Sequence, residues 1–378
     1  MRIEKRKIVA LLAIFAAGSF FAWNSGEESL TDTFVSGNPD VKHAGVMAFG
    51  PEGVLFLGDS KSGAVFALDV ADNAAGSDSE PIRLNSIDQK VAQMLGAASD
   101  QVMFNDLAVH PKSKNVYLSV SRGRGDDAQP ALLRVHQSGK IEEVRLDKIR
   151  YSKADVSNAP AEDAKDRRGR SLRTQAITDL SFADGHVYVA GLSNEEFASN
   201  LRRIPFPFKD KMAASSVEIY HGAHGKYETH APIRTFMHYE LDEEPHILAA
   251  YTCTPLVAFP TKALDDADHV KGKTVAELGS GNRPLDILSF KGGDEKEYIL
   301  LSNSNRTLMK IDPQDIPKTD AITEPVKGRN STAGVDFTAV SQVGILQMDN
   351  LNDANVVVLK RDMNSGALNL LSIAKRRL

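Results

Sequence analysis

Five of the ten histidines crowd into one short span: His221, His224, His230, His238 and His246, with Glu228 among them. Neutral imidazole is a good ligand for Zn²⁺, Cu²⁺ and iron. The pair His221 and His224, with His230 six residues later, can reach one ion if the loop folds back on Gly222 and Gly225. The same side chains suit acid–base work near neutral pH. A surface loop whose histidines orient turns or stack on Tyr220 and Tyr227 would need no ligand.

A second pattern is spread along the chain. Asn105-Asp106, Thr178-Asp179 and Leu285-Asp286 each put Asp or Asn just ahead of an apolar run, and His43 stands near a comparable place. Carboxylate and amide oxygens gathered from such places suit a hard cation, Ca²⁺ or another divalent metal, which takes about 6–8 oxygen ligands. Asp and Asn also cap turns by accepting backbone N–H groups. Other signatures are missing: there is no Gly-x-Ser-x-Gly elbow, no His-Glu-x-x-His and no phosphate-cradling loop. Cys253 is the single cysteine, which excludes an internal disulfide and reads as a small packed hydrophobe.

The elements that would position these residues repeat. A β-branched and aromatic run at 54–58, a Gly/Ser/Asp turn and a second run at 64–68 predict two paired strands. Similar units follow at 116–120 with 131–135, 187–191 with 201–204, 247–251 with 256–259, 298–302 with 307–311, and 356–360 with 367–373. All-β repeats at this spacing predict an all-β, six-bladed β-propeller, with seven blades the alternative. The inner-strand entrances of such a ring converge on a central channel, which would carry Asn105, Asp179 and Asp286 to one mouth. Residues 24–41 would close the ring against the last blade. Ile87, Val91, Met94 and Leu95 predict a short amphipathic helix, and 148–175 reads as a charged loop insertion rich in arginine.

Phe104-Asn105-Asp106-Leu107-Ala108-Val109-His110-Pro111 resembles the inner-strand motif of the regucalcin and gluconolactonase family. That resemblance implies a six-bladed propeller with a divalent metal, usually calcium, in its channel, and hydrolysis of lactones or related esters. Asn105 would match one family ligand, Asp179 stands where a second Asn is expected, and Asp286 matches the family's Asp. The family's first-blade Glu has no counterpart, since His43-Ala44-Gly45 occupies that entrance. Asp179 or His43 would then be the base. A looser resemblance, through Gly58-Asp59-Ser60 and Ser138-Gly139-Lys140, is to NHL-repeat propellers, which are mostly binding scaffolds. The chain also resembles exported bacterial propellers.

Bulk properties narrow the partners. The chain has 378 residues and a net charge of −5, and the basic Arg2, Lys5, Arg6 and Lys7 leave the remainder more acidic still. An acidic body is a poor fit to nucleic acid or to anionic lipid. A basic start followed by the apolar run 8–23 reads as a signal peptide or retained anchor over 1–25. One domain over 30–378 follows, periplasmic or secreted, with inner-membrane anchoring as the alternative. The sequence thus reads as an exported binding module for a protein or small molecule, with a metal or ligand site at the channel mouth. A metal-dependent lactonase or esterase is the alternative.

Overall fold

The first strand of each repeat, the second of its blade, is apolar on both faces because a neighbouring blade covers each side. Val54–Asp59 and its counterparts are therefore continuous apolar runs, not alternating ones. The computed structural model describes residues 29–209, 212–328 and 330–378. The segment 1–25 read as a signal or anchor lies outside them.

The strands form six sheets of four or more strands, arranged as the blades of a six-bladed propeller. Numbered by their inner strands in chain order, the blades begin at Met47–Phe49, Val102–Val109, Asp179–Ala183, Ile233–Leu241, Pro284–Lys291 and Ile345–Asn350. Every strand pair expected from the repeat is present as the second and third strands of a blade.

The blades do not stand in the ring in chain order. Inner strands touch in the order one, three, four, five, six, two and back to one. One apolar cluster fills each seam. Phe56 meets Val187 and Ile204 between blades one and three, and Leu118 meets Val357 and Leu359 between blades two and six. Tyr117 and Leu132 pack on Leu55 and Leu57 between blades one and two. Each fully buried side chain of this size stabilises the ring by about 1.5–3 kcal/mol.

This order requires two closures. After Ala64–Asp69 the chain passes along blade two and adds Arg83–Leu84 to the outer edge of blade six, against Leu370 and Leu371. It then builds blade two and returns to add Ile149–Asp155 outside Ala64–Asp69. Val35–Gly37 adds outside that strand in turn. The sequence-based expectation that 24–41 closes the last blade is thus corrected, because Arg83–Leu84 already occupies that edge. The stretch 148–175 is corrected too: its first part is an outer strand, and the irregular excursion starts at residue 156. The expected helix is present as Ile87–Leu95, with Ile87, Val91 and Leu95 buried and Met94 exposed.

Asp72 anchors the crossing segment. It accepts from Ser113 Oγ (2.7 Å), Asn115 Nδ2 (2.9 Å) and Tyr117 OH (3.0 Å), with Arg134 at 3.6 Å. Burial alone would raise its pKa, but these donors and the guanidinium hold it below the ordinary carboxylate value.

Candidate functional site

Inner strands run antiparallel to second strands, so their starts share one end of the ring with the turns joining second to third strands. That end is called the upper face here. It holds the excursion from residue 156, the His221 loop and the Cys253 turn.

The channel is built from carboxylates that clasp neighbouring blades. Asp106 Oδ2 accepts the Met47 N–H at 2.6 Å, Asp179 Oδ2 the Phe236 N–H at 2.8 Å, and Asp286 Oδ2 the Met348 N–H at 2.7 Å. These acids lie on blades two, three and five and their donors on blades one, four and six, a pseudo-threefold arrangement. Deeper, Asp349 Oδ2 accepts the Val109 N–H at 2.7 Å and joins blade six to blade two. Asp179, Asp286 and Asp349 each turn Oδ1 to the N–H of the following residue. All four line one cavity of about 410 Å³.

Burial and mutual repulsion favour the neutral forms. Burial comes first, and the charge of Asp179 next, in raising Asp106 well above the ordinary carboxylate value. Asp286 is raised in the same way, by burial and then by Asp106. Burial raises Asp179 to about 7 and Asp349 to about 6.

Sequence reasoning placed Asn105, Asp179 and Asp286 at the channel. Asp179 and Asp286 do line its cavity, but Asn105 is not among the lining residues. A β-bulge at Asn105 turns its amide to Ala44 O (2.7 Å) and Ser121 Oγ (2.9 Å), and its neighbour Asp106 faces the cavity instead. Asp349 was missed because it sits further along its strand than the other acids. A calcium set would need several free carboxylate oxygens, whereas these carboxylates already accept backbone N–H groups of neighbouring strands. The residues present do not fit that ion well. His43 is not a channel residue: it packs on Gly45, and burial lowers its pKa although Asp59 opposes this.

The bulge recurs on blade four at Arg234, where the guanidinium lies between the Thr252 turn of the upper face and Gln175. Arg234 Nε donates to Thr252 Oγ1 (3.1 Å) and an Nη to Gln175 Oε1 (3.2 Å). Burial, then the charges of Arg283 and Arg170, lower its pKa. Among the described residues no carboxylate pairs with it. Arg283 stands exposed just ahead of the blade five inner strand. A second upper-face cleft, about 670 Å³, is lined by Lys42, Lys61, Glu162 and Arg173.

The histidine loop folds back as expected. His221 ends the strand Ala213–His221, its carbonyl accepts the N–H of Gly225 at 2.8 Å, and Lys226–Glu228 pairs back on it. Gly225 takes φ 64°, a conformation natural to glycine. Glu228 holds both imidazoles: Oε2 lies 2.8 Å from His221 Nδ1 and Oε1 2.7 Å from His224 Nδ1. Burial would raise Glu228, yet the two histidines bring it down to about 2. Cys253 comes from the adjacent blade, in a turn where it and Thr254 both have φ 67°. His221, His224 and Cys253 offer ligand atoms within 4.8 Å of one another. His230 is not in this group; it is exposed, with Nδ1 3.4 Å from Thr229 Oγ1.

No family model matches the chain, and no curated protein matches it. Solved structures with a similar chain course include the PQQ-bound aldose sugar dehydrogenase of Streptomyces coelicolor, at 11% identity over 90% of this chain and 98% of that one, TM-score 0.33. The WD40 β-propeller domain of Doa1 shares 9% identity over 91% and 97%, TM-score 0.34. The extracellular domain of a hybrid two component system from B. thetaiotaomicron shares 9% over 90% of this chain and 39% of that one, TM-score 0.34. The chain spans about two-fifths of that last structure. The assignment to six-bladed propellers rests on the six sheets and their ring of seams. No helix among the described residues is long and apolar enough to cross a membrane.

Proposed function

We propose that this protein is an exported β-propeller binding module that takes an anionic ligand at the upper mouth of its channel. The observation that carries this reading is Arg234. Its guanidinium is largely withdrawn from water, has among the described residues only the neutral partners Thr252 and Gln175, and feels the like charges of Arg283 and Arg170. A cation held that way is costly until an anion joins it. Arg offers a planar fork that suits carboxylate or phosphate.

The test is a thermal-shift and calorimetric titration with inorganic phosphate and with a short dicarboxylate. Wild-type protein should gain Tm and bind either anion more weakly as salt rises. Arg234→Gln should lose the response while keeping the fold. No response in wild type, or an equal one in Arg234→Gln, sinks the reading.

The lactonase reading has one supporting observation, the rise of Asp179 to about 7, near the range useful to a general base. Against it, both Asp179 oxygens already accept backbone N–H groups. Turnover of a lactone or ester panel that disappears in Asp179→Asn would move the function into the channel. The binding reading expects no such turnover.

A further inference from the structure

The buried Nε2 of His221 has no hydrogen-bond partner among the described residues, and His221 is only 2% exposed. An imidazole nitrogen withdrawn from water without a partner is costly. Glu228 bonds Nδ1 of both His221 and His224, which places the proton on Nδ1 and leaves the lone pair on Nε2. A carboxylate behind the imidazole is how metal-ligating histidines are oriented. The two rings lie 3.9 Å apart between centroids, inclined at 41°. The third donor, Cys253 Sγ, comes from a different blade on a turn with two consecutive left-handed residues. That turn is pinned by Asn282 O, which accepts the Cys253 N–H at 3.0 Å, and by Thr254 Oγ1, which donates to Gly279 O at 2.8 Å.

We propose that His221, His224 and Cys253 form a binding site for a borderline-soft first-row divalent cation, with zinc the best match, whose fourth position is left to an external ligand. Two imidazoles and a thiolate suit zinc, and three protein ligands leave one tetrahedral position open. Zn–N bonds of about 2.0–2.1 Å and Zn–S bonds of about 2.3 Å put tetrahedral donors roughly 3.3–3.8 Å apart. One nitrogen of each imidazole and the Cys253 sulfur already lie within 4.8 Å of one another. Binding releases the Cys253 thiol proton to solvent and leaves the thiolate on the metal. Below the loop lies Glu277, 1% exposed, with one oxygen accepting the Ala223 N–H at 3.2 Å and the other unpartnered. Glu228, behind both imidazoles, supplies negative charge beside the site. Carboxylate-selective Ca²⁺ and Mg²⁺ are excluded as the preferred ions, since no oxygen belongs to the donor set.

The experiment uses the whole chain, stripped with chelator and kept reduced, titrated with Co²⁺ as a spectroscopic stand-in and then with Zn²⁺. The expected result is one equivalent of Co²⁺, with visible bands of tetrahedral coordination and a thiolate charge-transfer band, displaced by one equivalent of Zn²⁺. Cys253→Ser should remove the charge-transfer band. His224→Gln, at an exposed position, should weaken binding at least 100-fold with an unchanged circular dichroism spectrum. Glu228→Gln should weaken binding about 10–100-fold, and His230→Ala should change nothing. Absence of Co²⁺ binding overturns the site. So does binding that survives both Cys253→Ser and His224→Gln. Arg234→Gln should leave the Co²⁺ spectrum intact, so this proposal and the anion reading can fail separately.

Discussion

At the scale of single residues, partners decide what each acid does. Asp72 is buried yet held ionised by three donors and Arg134, and it secures the segment that crosses blade two. Asp72→Ala should cost about 3–5 kcal/mol, because it leaves Arg134 and several polar groups without their partner. Chemical denaturation would show this as a lower midpoint, and a loss below 1 kcal/mol would mean that water replaces the carboxylate. The histidine site was half legible in the sequence. Spacing and flanking glycines brought His221 to His224, because a four-residue turn is a local matter. His230 lay in sequence reach but follows the strand Lys226–Glu228 away from the turn. Cys253 could not be found that way, since its approach depends on how blade four packs against blade three. Asn105 was misplaced for a related reason: a bulge reverses which neighbour faces the channel, and bulges leave weak traces in composition.

At the scale of strands, the acids of the channel act as clasps between neighbouring inner strands. Repeat spacing made the second and third strands legible because burial on both faces writes an unbroken apolar run. Inner strands are mixed in composition, since one end turns polar groups to the mouth. The clasps give a pH dependence whose sign is set by their raised pKa values. Asp179 at about 7 and Asp349 at about 6 bind protons that the unfolded chain releases near pH 4. Their contribution to stability is therefore complete below about pH 4 and lost as pH rises through 6 and 7. Each adds a slope of up to about 1.4 kcal/mol per pH unit within its window. Tm followed between pH 5 and 8 should fall, and Asp179→Asn should flatten the fall. A flat wild-type profile would show that the channel acids stay ionised when folded. Asp72 and Glu228 act in the opposite sense, losing their contribution as pH drops through their lowered values.

At the scale of the whole ring, two closures replace the usual one. Blade one needs Ile149–Asp155 and blade six needs Arg83–Leu84, so both depend on the segment that builds blade two. No local pattern in the sequence announces this: Arg83–Leu84 is a two-residue strand, too short for any periodicity. Leu84→Pro removes a backbone donor at that edge and should lower Tm by several degrees. Limited proteolysis should then open blade six first, with cuts inside 345–374 ahead of cuts in blade three. Equal cutting of both blades would assign Arg83–Leu84 no part in closure.

The early strand also sets an order in time. Its partner, Leu368–Ala374, is the third strand of blade six and follows every other blade along the chain. From residue 84 onward the growing chain carries an outer edge with no sheet to join until blade six has been made. Contacts of such long sequence separation make for slow folding. A holding factor that shields 70–98 during synthesis would thus speed maturation more than one acting on any central blade.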